Sequence, residues 1–362
     1  MVKNEAYMIN KTRREWFGGL VFREKPGFVG YVDDVMADRL KIIKDESFIL
    51  PKNLFSTPMD AHFALTTRCN LFCEGCYNTK PDDGIMDIPL YKAKKVINNL
   101  AKLNLFSVSF GGGEPTLHPD LFEIARYTRE QNILPNITTN GRTITLENAS
   151  EFAVFGNVHL SLHALKDIPY IEHAAALIIK LARIKPGLNL LLTTETVPEL
   201  VTIFKWAKKN KFSKILCLRY KQTDKNKEIS HLQIDESTKD VYQKINLLKK
   251  QNKMKVLVDC SMFQDIAKYG SISHDQMYKV DFNGCQGANA YIAIDVNGSF
   301  KPCSFWKETM GNAETLTQDF WINDAKLNAF RNYRDHDSCV NCGYLDLCGG
   351  GCRLDTLHCS YI

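Results

Sequence analysis

Cys69, Cys73 and Cys76 are spaced C-x3-C-x2-C. Three thiolates can hold three irons of a [4Fe–4S] cluster and leave the fourth iron without a protein ligand. Such an iron is open to a second molecule, so the cluster becomes a chemical site as well as an electron store. Zinc is the rival occupant, but structural zinc closes four ligands and usually pairs them at short spacing with a distant second pair. An unpaired triplet fits that pattern poorly. Eight more of the twelve cysteines lie toward the other end, at Cys260, Cys285, Cys303, Cys339, Cys342, Cys348, Cys352 and Cys359.

The elements that must position these residues alternate between Ala61 and Tyr220. Short apolar runs predict strands at Ala61–Thr66, Leu105–Phe110, Leu134–Thr138, Val158–Leu162, Leu188–Thr193 and Ile215–Arg219. Helical patterns lie between them near 88–103, 119–132, 145–155, 169–184 and 197–210, with another at 236–252. Repeated strand–helix pairs argue for a parallel sheet covered by helices. Right-handed crossovers curl such a sheet into a full or partial barrel. The expected fold class is α/β, a partial (β/α)6 TIM-type barrel. Function in that architecture sits at the C-terminal ends of the strands, and the triplet begins there, just after the first strand.

More chemistry follows at successive strand ends. Gly111-Gly112-Gly113-Glu114-Pro115 comes after the second strand. Glycines let a ligand approach the backbone closely and permit positive φ, and Glu114 adds a carboxylate suited to an ammonium group. Thr138-Thr139-Asn140-Gly141 is a polar turn after the third strand, and Ser161-Leu162-His163 ends the fourth. Ser161 suits a ribose hydroxyl, while His163 is more simply a satisfied polar residue than a catalyst. Thr194 and Glu195 follow the fifth strand, and Arg219 ends the sixth as an ion-pair partner or a ligand contact.

Two regions depart from the alternation. Residues 1–55 carry Trp16–Phe22, a charged turn at Arg23–Gly27 and Phe28–Val32, which predict a hairpin, then a short helix near Asp34–Ile43. This is either an extension packed on the barrel edge or a small docking module. Residues 256–362 are turn-rich and cysteine-rich, too thin in apolar residues for a large core, so metal is expected to supply folding energy there. The barrel then occupies 56–255.

Composition narrows the class. The chain has 362 residues, 44% hydrophobic and 24% charged, with net charge +5. Those figures suit a soluble protein with one large domain and one or two small ones. Scattered lysines, and one run at Lys208-Lys209-Asn210-Lys211, give no nucleic-acid footprint. The N-terminus lacks the apolar core of a signal peptide, and no apolar run approaches a membrane span. The expectation is a cytoplasmic protein, whose reduced, clustered cysteines mean metal or catalysis.

The triplet in TTRCNLFCEGCYN, the GGGEP motif and the strand alternation together resemble the radical S-adenosylmethionine (SAM) superfamily. The resemblance implies that the open iron chelates the amino and carboxylate groups of SAM. Reductive cleavage then gives a 5′-deoxyadenosyl radical that abstracts hydrogen from substrate. It also implies that Gly112, Gly113 and Glu114 hold the methionine amine and that Ser161 approaches the ribose. Two positions depart from the family. Gly75 stands where an aromatic residue often precedes the last cysteine, and Tyr77 follows it instead. No arginine stands in the usual context after Ser161, so the partner of the SAM carboxylate is unassigned.

Toward the C-terminus, Cys285 leads through Ala290–Val296 to a hairpin signal at Asn297-Gly298. Cys303 follows, then C-x2-C-x5-C-x3-C from Cys339 to Cys352, and Cys359. Two pairs at short spacing can also hold zinc. The arrangement, including the CGGGC segment, resembles the SPASM domain of radical SAM enzymes that modify peptides and proteins. That resemblance implies two auxiliary [4Fe–4S] clusters, making three with the first. One would use Cys285, Cys303 and Cys352, the other Cys339, Cys342, Cys348 and Cys359. Cys260 is either the fourth ligand of the first auxiliary cluster, the favoured reading, or a buried small hydrophobe. Cys217 is expected in the core.

The expected function is a radical SAM/SPASM maturase that takes hydrogen from a ribosomally made precursor peptide, leading to a thioether or carbon–carbon crosslink or another oxidation. A ferredoxin- or flavodoxin-type donor would supply electrons. The stretch RREWFGGLVF…VGYVDDVMADRL faintly resembles the peptide-recognition modules of such maturases, which suggests strand addition. The alternative is a maturase of a folded protein or cofactor precursor, similar to anaerobic sulfatase maturases. In those, an aspartate follows the cysteine matched by Cys303; here it is Ser304. A non-enzymatic electron carrier has no need of an open-iron triplet beside GGGEP.

Overall fold

Three strands open the chain: β1 (Asn10–Glu15), β2 (Gly18–Arg23) and β3 (Phe28–Val32), followed by helix α1 (Asp34–Arg39). Then come β4 (Asp60–Thr66), β5 (Ser107–Gly112), β6 (Leu134–Thr139), β7 (Asn157–Leu162), β8 (Gly187–Leu192), β9 (Lys214–Arg219) and β10 (Lys255–Val258), all parallel to their neighbours. Short strands β11 (Tyr291–Ile294), β12 (Ser299–Lys301) and β13 (Gly311–Asn312) follow. This computed structural model describes residues 9–25, 27–43, 49–78, 84, 86–221, 240–270, 272–279, 282–332, 339 and 341–354. Cys359 lies outside them.

The six expected barrel strands are all present, within two residues of their expected starts. They belong to one sheet in the order β10-β9-β8-β7-β6-β5-β4-β11-β12-β13, a partial barrel. β11 runs parallel to β4, and β12 returns antiparallel through the Asn297-Gly298 turn, where Gly298 has φ +80°. β10 carries no clear sequence signal; four residues leave too little pattern to distinguish it from loop.

Helices α2 (Leu90–Lys102), α3 (Leu121–Glu130), α4 (Ile168–Leu177), α5 (Leu200–Lys209) and α6 (Val241–Asn252) cover the sheet. Spacing explains the fit of α2, α3 and α5. Their buried residues fall at i, i+3, i+4 and i+7: Ala93, Val96, Ile97 and Leu100 in α2, for example. Two expected helices differ. Residues 145–155 supply only a 3-10 turn at Ala149–Val154, and 169–184 run as α4 to Leu177 and then as a π turn at Ile178–Ala182.

Alternation divides each barrel strand between two surfaces. Phe63, Leu65, Val108, Phe110, Val158, Leu160, Leu188, Leu190 and Ile215 face the helices and are fully buried or nearly so. The opposite face is polar and hydrogen-bonded across strands. Asn157 Nδ2 donates to Asn136 Oδ1 at 2.9 Å, His159 Nδ1 meets Asn189 Oδ1 at 2.5 Å, and Lys214 Nζ donates to Asn157 Oδ1 at 2.8 Å. Burial pushes the His62 and His159 imidazoles down to about 4, so both are neutral near pH 7. Aliphatic layers fill an ordinary TIM-barrel lumen; here paired polar groups line that surface instead.

The N-terminal segment is more than the expected hairpin. β1 adds a third strand, so the sheet order is β1-β2-β3. It was not legible because its buried side chains are charged: Lys11, Arg13 and Glu15 alternate inward along NKTRRE. Arg13 pairs with Glu15 at 2.7 Å and donates to Thr57 Oγ1, Thr57 O and Pro58 O. Glu15 accepts from Ser56 N at 2.9 Å, and Lys11 Nζ donates to Leu105 O at 2.6 Å. Phe22 stacks on Phe106, with ring centroids 5.5 Å apart. All these partners precede β4 or β5. The N-terminal sheet therefore closes the floor of the barrel, opposite the strand ends that carry the cysteine triplet. Replacing Arg13 with alanine leaves Glu15 buried without its cation, which should cost about 3–5 kcal/mol. Arg14→Ala loses ion pairs to the exposed Asp34 and Asp38 and should cost less than about 1 kcal/mol. Unfolding midpoints of the two variants test the difference.

Candidate functional site

The cysteine triplet sits in a loop pinned at its start. Thr66 Oγ1 donates to Asp87 Oδ1 at 2.5 Å and accepts from Arg68 N at 2.9 Å. Arg68 pairs with Asp87 at 2.7 Å. Within the loop, Cys76 N donates to Cys73 O at 3.3 Å, and Leu71 N points at Cys69 Sγ at 3.4 Å. Gly75 has φ +72°, and a Cβ there would come 2.4 Å from the Tyr220 ring. The aromatic residue familiar at this position therefore has neither the backbone nor the space, because Tyr220 occupies the place from another strand end.

The glycine run serves the same loop. Gly112 has φ +114°, and its Cβ would lie 2.4 Å from Thr66 O; a Cβ on Gly113 would lie 2.1 Å from Arg68 O. Gly113 N and Glu114 N donate to Thr66 O and Arg68 O at 2.8 and 2.6 Å. Here the close approach that glycine permits is made by the chain's own backbone. Glu114 is 2% exposed. Its Oε1 accepts from Thr116 N, Thr116 Oγ1 and Thr139 Oγ1, and Oε2 accepts from Asn140 N at 2.8 Å. Burial raises its pKa, against the opposing effect of those donors. Thr139 and Asn140 of the expected polar turn thus anchor Glu114, and Asn140 Nδ2 also reaches Asn70 Oδ1 in the cysteine loop at 2.8 Å. Ser161 lies on the polar face of β7. Burial lowers the His163 pKa while Asp167 opposes that shift. Arg219 pairs with Asp265 at 3.1 Å, which accounts for it structurally.

The three sulfurs influence one another. Burial first, then Cys76 and Cys69, pushes the Cys73 thiol up to about 11. Deprotonated together, such thiolates repel unless a positive centre joins them, as metal ligation requires. Cys217 is instead a core residue, fully buried, its thiol pushed up to about 12 by burial alone.

Four other cysteines gather from separate parts of the chain. Cys260 follows β10, on one flank of the sheet, while Cys285 and Cys303 stand on either side of the β11–β12 hairpin, toward the other. Cys260 hydrogen-bonds Cys285, raising its own pKa and lowering that of Cys285. Cys352 acts on the charge of both Cys285 and Cys303. The CGGGC segment reaches this group through consecutive left-handed glycines, with φ +63°, +94° and +78° at Gly349, Gly350 and Gly351. Arg353 holds the segment by donating to Gly349 O and Gly351 O. Cys339 and Cys342 share a turn, with Cys342 N donating to Cys339 O at 3.3 Å, and the short helix Leu345–Cys348 follows.

Residues after Cys303 lead back to the first site. Ser304 Oγ meets His62 Nδ1 at 2.6 Å. Phe305 packs on Tyr77, next to Cys76, with centroids 4.4 Å apart. Lys221 Nζ lies 4.6 Å from the same Phe305 ring and pairs with Asp259. Neither His62, Lys221 nor Asp259 was singled out by sequence. Their signal was only position: His62 on the polar face of β4, Lys221 just past β9, Asp259 beside Cys260. Replacing Gly113 with alanine should displace the cysteine loop while the apolar core remains. Iron and sulfide analysis of anaerobically prepared protein should show the loss of one cluster, with the far-UV circular dichroism retained.

Residues 63–225 match the Radical SAM superfamily, and residues 285–343 match SPASM, an iron-sulfur cluster-binding domain. Mycofactocin maturase MftC of Mycolicibacterium smegmatis is 24% identical over 325 residues, covering 82% of this chain and 78% of that protein. PqqA peptide cyclase of Bradyrhizobium diazoefficiens is 31% identical over 109 residues, 30% of this chain and 29% of that protein. The fold resembles that of Streptococcus suis SuiB bound to precursor peptide SuiA, with TM-score 0.77 and 18% identity, covering 96% of this chain and 94% of that one. The chain thus carries a radical SAM domain followed by a SPASM domain, a pairing that implies iron–sulfur clusters and SAM.

Proposed function

We propose that this enzyme is a maturase of a ribosomally made precursor peptide and introduces an oxidative change such as a thioether or carbon–carbon crosslink. The observation that carries the reading is the shared wall between the two cysteine sites, where Tyr77 from the triplet loop packs against Phe305 from the Cys303 segment. An oxidation that begins with hydrogen abstraction must dispose of a further electron, and an acceptor beside the radical site suits that need. Relatives named as a maturase and a peptide cyclase, and a structural neighbour described with a precursor peptide, support the same substrate class. Ser304 in place of a sulfatase-maturase aspartate does not favour the alternative.

In this reading Cys69, Cys73 and Cys76 hold the SAM-cleaving cluster. Together, that cluster and SAM supply reductive cleavage of the sulfonium, which generates a hydrogen-abstracting radical. Gly112, Gly113 and Glu114 receive the methionine amine. Glu114 Oε2, with one donor against three on Oε1, keeps acceptor capacity for it. Ser161 approaches the ribose. Cys285, Cys303 and Cys352 hold one auxiliary cluster with Cys260 as fourth ligand, supported by the Cys260–Cys285 hydrogen bond. Cys339, Cys342, Cys348 and Cys359 hold the other, giving three clusters. A ferredoxin- or flavodoxin-type donor and a cytoplasmic setting complete the reading. No helix among the described residues is long and apolar enough to cross a membrane.

The N-terminal sheet is the proposed docking site for the precursor. β3 is an edge strand whose Phe28, Val29 and Tyr31 are all exposed, which suits strand addition by an extended peptide. Its floor contacts make deletion of the segment disruptive, so substitutions on its edge are the better probe. Val29→Glu with Tyr31→Glu should weaken precursor binding at least tenfold by titration calorimetry, leaving SAM cleavage intact; unchanged affinity would exclude this role. The reaction itself is tested by reducing the holoenzyme with SAM and a short precursor encoded beside its gene. The expected products are 5′-deoxyadenosine and a peptide lighter by two hydrogens, both lost on changing Cys69, Cys73 and Cys76 to alanine.

A further inference from the structure

Lys221 and Asp259 form a buried ion pair at the junction of the two cysteine sites, with side chains 14% and 8% exposed. Lys221 leaves the C-terminal end of β9, and its Nζ also stands over the Phe305 ring at 4.6 Å. Asp259 directly precedes Cys260. Its Oδ1 accepts from Ser261 N at 3.0 Å, capping the turn that presents Cys260.

A buried ion pair contributes little net stability, because desolvating both charges offsets their attraction. Its position is more informative. Through Asp259 the cation is tied to the turn that presents Cys260, and through the Phe305 ring it meets the segment that carries Cys303. The neighbouring pair, Arg219–Asp265, joins β9 to the segment after Cys260 and serves as a structural comparison.

We propose that Lys221 and Asp259 set the reduction potential of the auxiliary cluster held by Cys260, Cys285, Cys303 and Cys352. Lys221 supplies a fixed positive charge, and Asp259 moderates it. This rests on the reading that those cysteines hold a cluster. Thiolate-bound clusters carry net negative charge, and reduction adds to it. A nearby cation in a desolvated site stabilises the reduced form and raises the potential; an anion does the reverse. Both residues act through the cluster rather than on the substrate, and they bias the site toward accepting an electron from the side where Tyr77 and Phe305 meet.

The test is an anaerobic redox titration of the full-length holoenzyme, followed by electron paramagnetic resonance, with iron and sulfide measured on each sample. Lys221→Met should move the auxiliary midpoint to a more negative potential, Lys221→Arg should stay near wild type, and Asp259→Asn should move it to a more positive one. Asp265→Asn should leave it unchanged. Equal shifts for the Met and Arg variants, or same-sign shifts for Lys221→Met and Asp259→Asn, overturn the proposal. If Lys221→Met assembles no cluster, the sign of the Asp259→Asn shift decides. Cys260→Ala together with Cys303→Ala tests the underlying reading separately: undiminished iron in that variant sinks the cluster assignment.

Discussion

Gathering sulfurs that resist ionising together is the constraint on which this structure turns. Cys73 and Cys303 are both pushed up to about 11, by burial first and by neighbouring thiols after it, while Cys76 is exposed. Such groups do not ionise together unless positive charge joins them. The protein's task is to hold them close before that charge arrives. At the triplet the holding is local: one loop, clamped by Asp87 and by glycines whose missing Cβ atoms let Thr66 and Arg68 come into contact. At the second site it is global, because Cys260, Cys285 and Cys303 come from opposite flanks of an open sheet.

That difference gives the two sites different mechanical roles. The first is carried by the barrel; the second helps join it. Cys260, just past β10, and Cys285, just ahead of β11, act on each other across the gap where a full barrel would have more strands. The opposite face needs a closure as well, and β1 supplies it with Lys11, Arg13 and Glu15 bonded to the segments entering β4 and β5. Between floor and mouth lies a polar lumen of paired Asn, His and Ser side chains. These groups largely satisfy one another, in place of the aliphatic layers of an ordinary barrel.

Peptide chemistry fits this frame. The substrate-docking edge proposed for β3 and the radical site lie at opposite ends of the barrel, so a precursor must be long enough to reach from one to the other. The shared wall of Tyr77, Phe305 and Lys221 then places the proposed electron acceptor beside the point where hydrogen is taken.

Local chemistry was written in the sequence. Cysteine spacing, GGGEP, the six barrel strands and three helix faces are all patterns over a few residues, where 2.0 and 3.6 periodicity and ligand geometry act directly. β1 escaped because its buried positions are charged, which inverts the usual pattern. β10 escaped because it is four residues long. The glycines were legible as a close approach, but their partner was not, since Thr66 and Arg68 are set against them only by parallel strand pairing. Tyr220 beside Gly75, Ser304 on His62 and Lys221 between Asp259 and Phe305 were decided by tertiary structure alone. Each joins residues far apart in the chain, and spacing along a sequence carries no information about which distant strand ends a fold will bring together.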